Sequence, residues 1–208
     1  MKTIYFIREP RSGGTFLESY IRTLKRDEYQ YETTHNMTYI KSVPKNSNSI
    51  VIRTTRKNFT EHFLSAMAIQ TIGSAAQKFT NFTYEKPYDP IFDKIKNSRI
   101  QIKKNQVIDW VEGQRDVELL FNDHTKNLNY QIVYYEDMFK PFDIPILDLY
   151  NIDFSLSRQY TYKLPDYKRE VFTNYDQVQQ WMEKIKNAYA KKYNFEKFLE
   201  HWASYTSS

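Results

Sequence analysis

Apolar and polar positions along the chain change period several times, and each change marks an element. Residues 3–8 form a short β-branched and aromatic run, the pattern of a buried strand. Pro10 and the Gly13–Gly14 pair break it over 9–14. From 15 to 25 the apolar residues Phe16, Leu17, Tyr20, Ile21 and Leu24 recur at helical spacing. Residues 29–34 alternate as a second strand. Ile50, Val51 and Ile52 make 49–53 a third, and their unbroken apolar run suits a strand covered on both faces. A helix is expected over 58–69, a long amphipathic helix over 106–121 and a fourth strand over 130–135. Strands alternating with helices point to an α/β fold, a parallel β-sheet flanked by helices.

Two stretches leave that rhythm. Residues 71–100 are polar, aromatic and punctuated by Pro87 and Pro90, which reads as a long excursion over the sheet edge. The tail carries two helical stripes, Val178, Trp181, Met182 and Ile185 in one and Phe195, Phe198, Leu199 and Trp202 in the other. They predict a helical C-terminal tail over 174–205 whose apolar faces dock on the protein. There is no internal repeat or low-complexity linker, and 208 residues suit one domain.

Composition removes whole classes of chemistry. Cysteine is absent, which excludes disulfide frameworks, thiolate metal sites and cysteine nucleophiles. Four His without carboxylates at ligand spacing argue against a zinc enzyme, so no metal is expected. The net charge of +5 comes from basic residues spread along the chain with acids between them, unlike the concentrated patch of a nucleic-acid binder. No apolar run is long enough for a membrane span. Residues 1–7 are too soon followed by Arg8 and Glu9 to read as a secretory signal. The expectation is a soluble, cytoplasmic chain with neither nucleic acid nor membrane as partner.

Two of the four glycines stand side by side, in Glu9-Pro10-Arg11-Ser12-Gly13-Gly14-Thr15, between the first strand and the first helix. A glycine turn that opens a helix gathers backbone N–H groups into one concavity, and the helix dipole adds positive potential. Arg11 contributes a full charge there, and Ser12 and Thr15 hydroxyl donors. Such a loop suits a phosphate. The nucleoside-triphosphate signature G-x-x-x-x-G-K-[ST] is not met, because Gly14 stands where its Lys would be, and G-x-G-x-x-G is absent. A loop without that Lys suits a ligand presenting a single 5′-phosphate.

Pro10-Arg11-Ser12-Gly13-Gly14-Thr15-Phe16-Leu17 resembles the P-[KR]-S-G-[GST]-T-x-[LW] loop of sulfotransferases that use 3′-phosphoadenosine 5′-phosphosulfate (PAPS). The resemblance implies a P-loop NTPase-like fold with Arg11, Ser12, Gly13, Gly14, Thr15 and Phe16 at the nucleotide. In that family a strand ends in Arg and a Ser eight or nine residues on joins it on the 3′-phosphate. Here Arg56 follows the third strand and Ser65 lies nine residues later, with Arg53 the rival cation. Ile132-Val133-Tyr134-Tyr135-Glu136-Asp137-Met138 is similar to the family's strand ending in Y-E-[DE]-[LM], which implies Tyr135 near the adenine and Glu136 and Asp137 capping a helix. Asn174-Tyr175-Asp176 is similar to the N-Y-[DE] segment of bacterial and phage-type members. Lys163 is the first choice for a basic residue reaching the nucleotide before it, with Lys168 and Arg169 as rivals. The R-K-G-x-x-G signature of the cytosolic steroid and phenol enzymes is missing. The resemblance runs in order from 3 to 176 and fades over 71–129, the expected variable acceptor or lid region.

It implies metal-free sulfuryl transfer from PAPS, with PAP as product, to a hydroxyl or amine of a small-molecule or carbohydrate acceptor. Arg11 would stabilise the charge that builds up. His35, closing the second strand as Thr34-His35, is the first choice of general base, with Glu18 and Glu32 as alternatives and His62 ranked lower. Trp110 and the aromatics Phe79, Phe82, Tyr84, Tyr88 and Phe92 are candidates to line the acceptor pocket or to pack as a lid. A small P-loop kinase and a non-catalytic nucleotide-binding module are the alternative readings. The 18 tyrosines have no explanation at this level.

Overall fold

A computed structural model describes residues 1–10, 12–72, 97–153 and 168–193. Arg11, Lys163, the aromatics over 79–92 and the second tail stripe lie outside them. The chain forms two compact units, Met1–Lys57 with Gln114–Ser155 and Asn58–Gly113 with Leu156–Ser208.

The first unit holds a four-stranded parallel sheet. Its strands are β1 (Lys2–Arg8), β2 (Tyr29–Thr34), β3 (Ser49–Thr55) and β4 (Asn129–Tyr134), in spatial order β2-β1-β3-β4. Register pairs Tyr5 with Glu32 on one side and with Val51 on the other. Alternation along the strands sends Ile4, Phe6, Ile50, Ile52 and Val133 to one face and Tyr5, Ile7, Val51 and Tyr130 to the other. Helix α1 (Gly14–Leu24) covers the first face with Leu17 and Ile21. Val117, Leu120 and Phe121 cover the second, from the C-terminal part of the long helix that follows α2. Each fully buried apolar side chain contributes about 1.5–3 kcal/mol relative to exposure. β3 is buried along its whole length, as its unbroken apolar run implies.

A hairpin not expected from the sequence follows β4. Strands β5 (Phe142–Ile144) and β6 (Leu149–Ile152) pair antiparallel across a 3-10 turn, and Ile144, Leu147 and Ile152 join the α1-side core. Pro145 interrupts any strand pattern in the sequence, and the left-handed turn residue is Asp148 (φ 52°) where a glycine would have signalled it.

The second unit is helical where described. It contains α2 (Phe59–Ile72), the N-terminal part of α3 (Lys104–His124), the short α4 (Lys168–Val171) and the C-terminal helix α5 (Tyr175–Tyr193). The first tail stripe docks as expected: Val178, Met182 and Ile185 are buried with Phe63, Leu64, Val107 and Val111. The Asn174 side chain bridges to the Ile102 backbone through both amide atoms, at 3.1 and 2.9 Å. Among the described residues no helix is long and apolar enough to cross a membrane.

Candidate nucleotide site

Parallel strands carry their C-terminal ends to one edge, and ligands of open α/β sheets bind there, where neighbouring connections leave in opposite directions. The order β2-β1-β3-β4 puts that switch between β1 and β3. The 9–14 turn leaves β1 at that position, and Arg56 follows the end of β3.

Gly13 caps α1 in the left-handed region (φ 72°). A Cβ on it would stand 2.9 Å from Cδ2 of Tyr135 and 3.2 Å from the Met138 sulfur. On Gly14 it would stand 2.5 Å from Thr54 Oγ1 and 2.7 Å from Arg8 Cγ. The glycine pair is therefore required twice, for backbone conformation and for close approach of the helix start to the strand ends. Phe16 and Leu17 donate their N–H groups to Gly13 O, whereas the N–H groups of Gly14 and Thr15 precede the first intrahelical acceptors.

The loop side chains divide. Ser12 is buried, its Oγ donating to Glu9 O at 2.6 Å and lying 2.6 Å from Thr54 Oγ1, so its hydroxyl braces the turn. Thr15 is exposed and accepts from Arg8 Nη1 at 3.0 Å. Phe16 is half-buried against the α1-side core.

Of the two cations of the β3 segment, Arg53 is fully buried and turned inward. Its Nη2 lies 2.5 Å from both Glu9 Oε1 and Glu118 Oε1, and its guanidinium carbon 4.5 Å from the centre of the Phe121 ring. Burial alone would lower its pKa, but the two carboxylates outweigh burial and hold it firmly protonated. Arg56 instead lies 4.0 Å from the centre of the Tyr135 ring, which also meets Phe139 edge-on. The turn, Arg56 and Tyr135 thus meet at one ring.

Glu136 and Asp137 do not serve as helix caps. Residues Tyr135–Phe139 form a 3-10 turn, and the two carboxylates bind Lys57, through its N–H at 2.8 Å and its Nζ at 2.6 Å. Two acids following an aromatic strand are as well suited to clasping a neighbouring strand's exit, which sequence cannot distinguish.

His35 lies at the same edge, with Nδ1 2.9 Å from Arg8 O. A carbonyl only accepts, so Nδ1 carries the proton and Nε2 of the neutral ring keeps its lone pair. The rival carboxylates are occupied. Glu18 pairs with Arg8 (2.8 Å) and Arg22 (2.7 Å) and accepts from Thr33, while Glu32 accepts from the Tyr39 hydroxyl. Arg8 is the cation that sequence reasoning missed. It looks like an ordinary strand end, and only its neighbours Thr15, Glu18 and His35 give it a place here.

Ser65, His62 and Trp110 belong to the second unit. Ser65 is buried on α2, and His62 packs edge-on against Trp110 at 5.1 Å, within a group that includes Phe59 and Phe63. Of the rivals to Lys163, Lys168 is ion-paired with Glu61, which also accepts from Tyr175, and Arg169 pairs with Asp176 at 3.0 Å. Among the described residues no cluster of three or more His, Asp or Glu side chains is arranged to hold a metal ion.

No protein-family model, curated protein or solved structure matches this chain.

Proposed function

We propose that this chain is a sulfotransferase, binding PAPS at the β1–β3 edge and transferring its sulfuryl group to a hydroxyl or amine of a small-molecule or carbohydrate acceptor. The observation that carries the reading is the meeting of two motif pieces on the ring supplied by a third: the Gly13 backbone and the Arg56 guanidinium both pack on Tyr135. The switch-point position of the turn supports it, as does a His35 whose Nδ1 is spent on Arg8 O and whose Nε2 makes no hydrogen bond with the described residues.

The nucleotide supplies the activated sulfuryl group and a phosphate leaving group. For its part the chain positions and stabilises charge, which dominates such transfers. In this reading 9–14 is a P-loop-like cradle. The N–H groups of Gly14 and Thr15 hold the 5′ end, and Arg11 offsets the charge that builds there. Arg56 holds the 3′-phosphate, with Tyr135 beside the adenine. Ser65 and Lys163 enter as nucleotide ligands on the sequence resemblance alone. His35 Nε2 takes the proton of a hydroxyl acceptor.

Calorimetric titration with PAP and, separately, with Mg²⁺-ATP tests the reading. Binding of PAP without a response to Mg²⁺-ATP is expected. Binding of Mg²⁺-ATP alone would replace the reading with a kinase. PAP binding without transfer from labelled PAPS to any acceptor of a broad panel would leave a non-catalytic module.

A further inference from the structure

Glu9, the first residue after β1, is 2% exposed, and all of its polar atoms are bonded within the fold. Its N–H donates to Thr54 O at 3.1 Å, and its carbonyl accepts from Ser12 Oγ at 2.6 Å. Its Oε1 accepts from Arg53 Nε at 2.8 Å and Nη2 at 2.5 Å, and its Oε2 from Thr55 Oγ1 at 2.9 Å. Ser12 is held to Thr54 as well. The turn is therefore stapled at 9 and at 12 to residues 53–55 of β3. Buried ion pairs add little net stability, because desolvation offsets the attraction. Apolar residues of the same volume would join β1 to β3 about as well. They would not fix the direction in which the chain leaves β1, which a carboxylate gripped from two sides does.

We propose that Glu9 is a positioning residue: held by Arg53 and Thr55, it sets the shape in which the turn presents the Gly14 and Thr15 N–H groups to the 5′-phosphate end of the nucleotide. The inference rests on the nucleotide reading above and deepens it, since it assigns the residue that makes the cradle specific for a 5′-phosphate.

The test uses two probes, adenosine 3′,5′-bisphosphate and adenosine 3′-phosphate, which lacks the group the turn would hold. Thr55→Val removes one of the two grips and leaves the Glu9–Arg53 pair intact. It should weaken the bisphosphate about tenfold, the scale of one charge-assisted hydrogen bond, and leave adenosine 3′-phosphate within about twofold. Thr55→Ser should restore wild-type affinity, and Glu9→Gln should act in the same direction as Thr55→Val with a larger loss. If Glu9→Gln fails to fold, the threonine pair decides. Unchanged bisphosphate affinity in Thr55→Val overturns the proposal and leaves the nucleotide reading standing. Equal loss of both probes also overturns it, because the clamp would then support the fold as a whole. A wild-type chain that does not bind the bisphosphate removes the nucleotide reading and this proposal with it.

Discussion

The guanidinium carbon of Arg56 stands 4.0 Å from the centre of the Tyr135 ring. An arginine held on an aromatic face has less freedom to lose when it grips an anion, and its planar fork fits a phosphate in a way an ammonium does not. Arg56→Lys keeps the charge and gives up the fork and the stacking. Calorimetry at fixed ionic strength should show PAP binding weakened about tenfold for Lys and further for Ala. Wild-type affinity in Arg56→Lys would mean that charge alone serves at this position.

The glycines make opposite predictions by location. Gly14→Ala pushes a methyl to 2.5 Å from Thr54 Oγ1, an atom already engaged by Ser12. Overpacking of this kind costs about 1–3 kcal/mol, read as a lower urea midpoint. Gly113 lies inside α3 with none of the described residues within 4 Å of an added Cβ. Gly113→Ala should raise stability by about 0.5–1 kcal/mol, the helix-interior difference between the two residues. A destabilised Gly113→Ala would contradict the open surroundings of that position.

Much of this was legible in the chain and some was not, for physical reasons. The Ile50–Val51–Ile52 run suited a strand covered on both faces, and β3 is buried along its length. The Gly13–Gly14 pair announced a special turn, and both positions need glycine. Spacing ranked Arg56 ahead of Arg53, but what turns Arg53 inward was beyond it, because that depends on Glu118, 65 positions from Arg53 and brought beside it by α3. Ser12 reads as a ligand donor from sequence and is a brace in the structure, since no local pattern reveals that Thr54 would lie 2.6 Å away. The β5–β6 hairpin lacked the turn glycine and the β-branched run that would have marked it.

For His35 the expected signature is a split between chemistry and binding. With Nδ1 bound to Arg8 O, only Nε2 can take a proton. His35→Gln can keep a donor toward that carbonyl and has no basic nitrogen. It should slow transfer to a hydroxyl acceptor about 100- to 10,000-fold, the usual range for a lost general base, with PAP affinity unchanged. Turnover with labelled PAPS and PAP calorimetry measure the two halves. Unchanged turnover would move the base to Glu32, because Glu18 is held by Arg8, Arg22 and Thr33.

Two of the many tyrosines give a pH prediction. Burial pushes the Tyr130 phenol well above its ordinary 10.0; Arg53 pulls it down and Glu118 pushes it up. Tyr134 is raised in the same direction, by burial first and Glu118 next. Above the ordinary value the unfolded chain loses these protons while the folded one keeps them. Their stabilising effect is complete below about pH 10 and is lost as pH rises from there toward the folded values. Urea midpoints should therefore fall between about pH 8 and about pH 11, and less steeply in Tyr130→Phe than in the wild type. An identical alkaline slope in Tyr130→Phe would show that this phenol ionises as readily folded as unfolded.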